Sequence, residues 1–198
     1  MGLGHIGDDD IFYNCNKGED FSFITGLTKM GIETIPPLVG RGVLIKMAKH
    51  HGVSSMYGGQ GITREDIKKA IKKQNIELKK GDIILFHTGW TDAKLKSSPE
   101  EWGASIPGIT NDAAVYLSEF KPMAVGADTW GLGAVPPIEG DKVYYDHVTL
   151  IKENGIYILE TMDTGRLAKE NVTEFMFVLG QPKLKGAVQM IINPVALW

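Results

Sequence analysis

Residues 146–163 have the sequence DHVTLIKENGIYILETMD, in which a helix-like segment is followed by a strand-like one. The segment 147–153 predicts a short helix, Asn154-Gly155 a helix end, and 156–160 a strand that finishes on an acid. A helix that leads out and a strand that leads back can bring His147 and Glu160 to one point, although they are thirteen positions apart. An imidazole nitrogen and a carboxylate oxygen at one point suit Zn or Mn. Because His/Glu pairs are common, the alternative is that the two are unrelated polar residues.

Strands and helices are predicted to alternate along most of the chain. The predicted elements are strands at 42–47, 83–89, 123–128 and 174–179, the last of them central, and helices at 61–75 and 110–120. The helix at 61–75 has the clearest start signal, since Thr63 is followed three residues later by Asp66. Residues 1–40 lack periodicity and are expected to be loop-like. The alternation predicts a single layered α/β or α+β domain over residues 1–198.

The composition is that of an ordinary globular protein. With 43% hydrophobic residues, 23% charged residues and a net charge of −3, nothing favours a nucleic-acid partner or a membrane. The lysines at 68–69, 72–73 and 79–80 are interpreted as the solvated face of a helix and its exit. Cys15 is the only cysteine, which rules out an intrachain disulfide and favours the cytoplasm. No apolar run approaches the roughly 18 residues of a membrane span.

Several polar side chains are predicted at strand ends or in glycine-rich loops. They are His5, His87, Asp128, His147 and Glu160. Functional groups are often placed on such segments, which a rigid scaffold holds in position. Taken singly, each also has a structural interpretation: a strand-end aspartate commonly caps a neighbouring helix, and a lone histidine is commonly a satisfied polar residue.

The order and spacing of seven segments resemble the cyclase family of metal-dependent hydrolases, which includes bacterial kynurenine formamidase and isatin hydrolase. The segments are DHVTLIKENGIYILETMD, GDIILFHTGW, MAVGADT, GLGHIG, RGVLIKMA, PGIT and KGAVQMIINPVAL. The resemblance implies a compact α/β domain of the swivelling β/β/α type, in which a mixed sheet with flanking helices carries the site at strand ends. It also implies a homodimer or a larger homo-oligomer.

The resemblance further implies that His147 and Glu160 are metal ligands and that His5 is the catalytic acid/base. The family signature is His-x-Gly-Thr-His-x-Asp-x-x-x-His, and its last histidine matches His5. Counting back four positions, Met1 stands where the family has its metal-binding aspartate. We therefore expect a chain that lacks the N-terminal portion of the family domain and part of its ligand set. His50-His51 could substitute, but they are expected in a surface turn.

Two hypotheses follow. The first is a cytoplasmic, Mn- or Zn-dependent hydrolase of a small amide or cyclic amide, similar to an arylformamidase, with substrate-binding residues Phe12, Tyr13, Trp90 and Asp128. For the three aromatic residues an ordinary core position is an equally good interpretation. The second is a non-catalytic member of the family that keeps the fold without a complete metal site. An interaction module unrelated to catalysis has little support, because no charge stripe, heptad or aromatic patch marks an interface.

Overall fold

The computed structural model describes residues 1–198, and its centre is a six-stranded mixed sheet. Its strands, in chain order, are β1 (Leu38–Lys46), β2 (Ile83–His87), β3 (Ala124–Ala127), β4 (Tyr157–Leu159), β5 (Glu174–Leu179) and β6 (Val195–Leu197). Across the sheet the order is β4-β3-β2-β1-β5-β6. Strands β1 to β4 are parallel, whereas β5 runs antiparallel to both β1 and β6. The predicted α/β class with a mixed sheet is confirmed.

Seven short helices flank the sheet. They are α1 (Met47–His51), α2 (Arg64–Gln74), α3 (Trp90–Lys94), α4 (Pro99–Ala104), α5 (Asn111–Ser118), α6 (Tyr145–His147) and α7 (Gly165–Lys169). Helix α6 continues directly into a π-helical segment, Val148–Glu153. None of the helices has the length and hydropathy that crossing a bilayer requires.

The remaining regular structure is made of very short pieces. Three-residue 3₁₀ helices lie at Tyr13–Cys15, Gly18–Asp20 and Ile32–Thr34. Two-residue strands pair Ile11–Phe12 with Asn16–Lys17, Ser22–Phe23 with Gly26–Leu27, and Gly61–Ile62 with Gly108–Ile109. The first 37 residues therefore contain no long element, as their lack of periodicity predicts.

A capping box sets the start of α2. Thr63 Oγ1 accepts a hydrogen bond from the Asp66 amide at 3.1 Å, and Asp66 Oδ2 accepts one from the Thr63 amide at 3.0 Å. Two amides that the first helical turn leaves unpaired are thereby satisfied. The helix ends at Gln74, because Asn75 has a φ of 54° and so stops the helical repeat. The helix predicted at 61–75 is thus confirmed over Arg64–Gln74, whereas Gly61–Ile62, which the prediction included, form a two-residue strand.

The sheet separates two hydrophobic cores, because successive side chains of a strand point to opposite faces. Along β1, Val43 and Ile45 belong to the core under α2, α5 and the π-helical segment. Leu44 belongs to the other core, which includes Leu167 of α7 and is packed against by residues of the C-terminal segment, such as Ile192.

Strand β5 differs from its prediction in burial, although its extent is as predicted. It is the fifth of six strands, and Phe175, Phe177 and Leu179 are buried while Glu174 and Met176 are exposed. A continuous apolar run favoured burial on both faces. Here only one face is covered, so Met176 is an apolar residue left on the open face.

The Arg41 side chain links β1 to Asp82, which precedes β2, and to Glu174, the first residue of β5. Its Nη1 donates to both carboxylate oxygens of Asp82, at 3.0 and 3.2 Å, and its Nε and Nη2 donate to Glu174 at 3.1 and 2.8 Å. The Asp82 side chain is only 3% exposed, so water cannot replace the guanidinium well. Removing one partner of such a pair leaves an uncompensated buried charge.

We predict that Arg41→Met lowers the free energy of unfolding by about 3 kcal/mol, the usual cost of breaking a buried ion pair. Lys68→Met is the matched control: its pair with Glu65 is solvent-exposed, so its loss should cost less than about 1 kcal/mol. Urea denaturation of both variants measures the difference. Equal losses would mean that the Arg41 pairs act as ordinary surface pairs.

Candidate functional site

His147 and Glu160 meet at the carboxyl end of the parallel strands. His147 is the last residue of α6, and Glu160 directly follows β4. Their contact joins His147 Nε2 to Glu160 Oε1 at 3.2 Å. The imidazole is almost fully buried, and the Glu160 side chain is 15% exposed. The helix–turn–strand pattern at 146–163 therefore brings the two groups together, as its sequence predicts.

Asp146 completes this group, and the sequence analysis missed it. Its carboxylate Oδ2 lies 3.0 Å from His147 Nδ1, and the residue is 2% exposed. Burial alone would lower the pKa of His147, but the hydrogen bonds and charges of Asp146 and Glu160 outweigh it and raise that pKa to about 9. Without a metal ion the imidazole is thus a cation between two carboxylates. Consecutive residues of a helix normally point apart, which is why the Asp-His dipeptide gave no usable signal.

His5 lies beside His147, with ring centroids 6.2 Å apart and planes inclined by 42°. Its Nδ1 is buried, and no protein group hydrogen-bonds to it. Burial, the charge of His147 and the charge of the amino group of residue 1 together lower the pKa of His5 to about 4. That amino group donates to the Ile158 carbonyl at 2.6 Å. His5 is therefore neutral at pH 7, with one nitrogen free to accept a proton.

A cavity of about 880 Å³ opens beside Glu160. It lies over the sheet face opposite α2 and α5, and its walls are mainly apolar; they include Leu85, Phe177 and Ile192. Sequence analysis did not predict this cavity, because its far wall comes from the C-terminal residues 189–198, more than 25 positions after Glu160. Its size and apolar lining fit a small organic molecule.

Phe12 and Tyr13 do not border this cavity. Phe12 packs edge-to-face on Phe21, with centroids 5.0 Å apart. The ring of Tyr13 lies against Gly155, in the turn between the π-helical segment and β4, where a Cβ would come within 2.6 Å of the ring. Both rings therefore pack on the protein itself, and substrate contact by either remains a prediction.

Trp90 and Asp128 also lie outside the cavity. Trp90 is 1% exposed and belongs to the core. Asp128 Oδ1 accepts from the amide and hydroxyl of Thr88 at 2.8 and 2.7 Å, and Oδ2 accepts from the Gly89 amide at 2.8 Å. Burial raises the pKa of Asp128, against the opposing influence of His87 and these hydrogen bonds. For both residues the geometry favours the structural interpretation over substrate binding.

Comparison with known families identifies the group of proteins to which this fold and site belong. The family described as "Putative cyclase" matches residues 16–134. The chain belongs to the cyclase family. No curated protein matches it.

Solved structures share the cyclase fold. A crystal structure of a novel cyclase is 28% identical, with a TM-score of 0.88, over 100% of this chain and 66% of its own. An isatin hydrolase bound to the product analogue thioisatinate is 20% identical, with a TM-score of 0.64, over 80% of this chain and 60% of its own. A potential metal-dependent hydrolase with cyclase activity is 23% identical, with a TM-score of 0.61, over 83% of this chain and 69% of its own. This chain thus spans less than two thirds of the length of the first two.

The donor atoms of His147 and Glu160 are of a type, and at a distance, that suits a divalent ion. Two protein ligands are nevertheless fewer than such an ion usually has. Two zinc ligands with bonds of about 2.0–2.1 Å at a tetrahedral angle have donor atoms about 3.4 Å apart. This is close to the 3.2 Å between His147 Nε2 and Glu160 Oε1. Zinc sites use at least three protein ligands, however, and the chain has no group of three His, Cys, Asp or Glu side chains that could hold a metal. His50 and His51 pack on each other in α1, with centroids 5.1 Å apart, and supply no third ligand.

The carboxylates around His147 predict a pH dependence of stability in metal-free protein. The pKa of His147 is about 9 in the folded state against an ordinary value of 6.5, so the folded state binds more protons between these values. The stabilisation is fully present below pH 6.5 and is lost as the pH rises through 9. In EDTA, the urea midpoint should fall over this range for the wild type and stay nearly level for His147→Gln. His51→Gln, outside the site, should keep the fall, and a persisting fall in His147→Gln would contradict the assignment.

Proposed function

We propose that this chain carries the core of a metal-dependent hydrolase site that acts on a small amide or cyclic amide, similar to an arylformamidase. The observation that supports it is the 3.2 Å approach of His147 Nε2 to Glu160 Oε1, with His5 beside them. His147 and Glu160 would hold a divalent ion, Mn or Zn. The ion, when bound, lowers the pKa of a bound water and polarises a carbonyl group.

The remaining steps belong to the protein's own side chains. Asp146 accepts from His147 Nδ1 and so keeps Nε2 directed at Glu160. His5 is neutral at pH 7, so its unpartnered Nδ1 can accept the proton that the attacking water loses and pass it to the leaving nitrogen as the amide C–N bond breaks. The apolar cavity has room for the aromatic or aliphatic part of the substrate; of the three site residues Glu160 lines it, and His5 and His147 do not.

A second candidate is a non-catalytic family member. It is supported by the absence of a third ligand, and by the direct contact of His147 with Glu160, which satisfies both groups without an ion. The two candidates differ in whether the chain retains a metal ion.

Metal retention and turnover test the proposal together. The protein is incubated with Mn or Zn and dialysed, and its metal content and its hydrolysis of an aryl formamide and of isatin are measured. His147→Gln and Glu160→Gln should weaken metal binding at least about tenfold, since each removes a ligand. His5→Gln should keep the metal and lose about 10²–10⁴-fold in turnover, the usual contribution of an acid/base.

His51→Gln is the matched control and should retain both metal and activity. Less than about a tenth of an equivalent of metal in the wild type would favour the non-catalytic candidate, because catalytic zinc sites hold their ion through several protein ligands.

We also propose a cytoplasmic homodimer or larger homo-oligomer. Strand β6 lies at the edge of the sheet, carries no charged residue, and leaves Val195 and Leu197 half exposed. An uncharged apolar edge of this kind favours association. Light scattering after size-exclusion chromatography should give a mass of at least twice 21.7 kDa, and a clean monomer would contradict this.

A further inference from the structure

A second, smaller cavity lies at the carboxyl end of β1, between α1, the end of α2 and the residues that follow α7. Its volume is about 250 Å³, and all seven lining residues are polar. Three of them are lysines, Lys46, Lys49 and Lys73, and none is acidic. We call it the lysine cavity. Because β1 and β4 are three strands apart, it is roughly 14 Å across the sheet from Glu160.

Lys46 is a buried ammonium group that has no carboxylate partner. The residue is 2% exposed, and Nζ donates to the carbonyls of Asn171 and Val172 at 3.2 and 3.1 Å and to Thr173 Oγ1 at 2.9 Å. These three neutral acceptors use all its hydrogens. Burial and the nearby charge of Lys49 lower its pKa. Buried charges are normally paired, so Lys46 places a positive charge in the cavity wall that nothing in the chain neutralises.

The other two lysines keep hydrogen-bond capacity. Lys49 Nζ donates once, to Asn171 Oδ1 at 2.8 Å, and Lys73 Nζ donates once, to the His50 carbonyl at 3.4 Å. Each ammonium has three hydrogens, so two remain on each group. His50 Nδ1 is buried, and no protein group hydrogen-bonds to it. The cavity thus offers several donors to a ligand that carries only acceptors.

The acidic side chains nearest along α2 are already engaged. Asp66 accepts from Thr63 in the capping box, and Glu65 pairs with Lys68 at 2.7 Å. Neither lines the cavity. The charge of Asp66 still acts on His50, whose pKa it raises against the larger lowering by burial. Within the lining of the lysine cavity, however, no acidic side chain balances the three lysines.

We propose that the lysine cavity binds a phosphate group, either as free phosphate or as a phosphate monoester. A phosphate has several acceptor oxygens and a charge that matches clustered ammonium groups. The cavity is smaller than the roughly 300–1,000 Å³ of sites for larger organic ligands, which favours a small anion. The proposal is independent of the hydrolase function, since it uses none of the residues of the His147 site.

Calorimetric titration with inorganic phosphate tests the proposal. Measurements are made at a fixed ionic strength set with chloride, so that general screening stays constant. Lys49→Ala/Lys73→Ala should weaken phosphate binding at least tenfold. The matched control is Lys69→Ala/Lys72→Ala. It also removes two positive charges, but both come from positions of α2 outside the cavity, so the affinity should change less than twofold.

Glycerol phosphate is titrated in parallel to identify the source of the phosphate. Tighter binding of the monoester would assign the cavity to an organic phosphate, and tighter binding of inorganic phosphate to the free ion; either outcome supports the proposal. It is overturned if neither ligand binds the wild type above the chloride background, or if both double variants lose affinity equally. Circular dichroism of each variant verifies that it is folded.

Discussion

The parallel pairing of four strands is the constraint on which the rest of the molecule depends. Because β1 to β4 run in the same direction, the residues that end them or follow them, Lys46, His87, Asp128 and Glu160, come to one edge of the sheet. A parallel sheet buried on both faces has little room for such groups, so each must find a partner within the fold.

Each of the four groups is satisfied differently. Lys46 donates to the residues that follow α7, and His87 Nδ1 contacts Thr164 Oγ1 at 2.9 Å. Asp128 accepts from the backbone at the start of α3. Two of the four, His87 and Asp128, also lie close to each other, with His87 Nδ1 3.7 Å from Asp128 Oδ2. Glu160 contacts a titratable group outside these four, the almost fully buried imidazole of His147. In ligand-binding α/β proteins the carboxyl edge of the sheet is the usual place for a site. The His147–Glu160 pair therefore lies where such proteins usually place a site.

Local signals in the sequence predicted what depends on local structure. The capping box at Thr63 was visible and marked the start of α2. The Asn154-Gly155 helix end and the strand after it were visible as well, and these two bring His147 to Glu160. The features that the sequence did not reveal depend on residues distant in the chain. The apolar run of β5 did not reveal that one face stays open, and nothing local indicated that the C-terminal segment builds the wall of the larger cavity. Substrate binding by Asp128 stays a prediction; the hydrogen bonds to Thr88 and Gly89 that favour a structural role could not be inferred from the sequence.

The π-helical segment Val148–Glu153 determines how His147 is oriented relative to β4. A π-helical turn accommodates more residues than an α-helical one, and such segments often occur at functional sites. If one residue were deleted here, the segment could relax to α-helical geometry, and everything before it would rotate by about 100° relative to β4. The imidazole would then swing away from the carboxylate. The number of residues in the wide turn thus sets the rotation of His147 about the helix axis. Insertions or deletions in this segment should therefore disrupt the contact with Glu160 far more than substitutions of its solvent-facing residues.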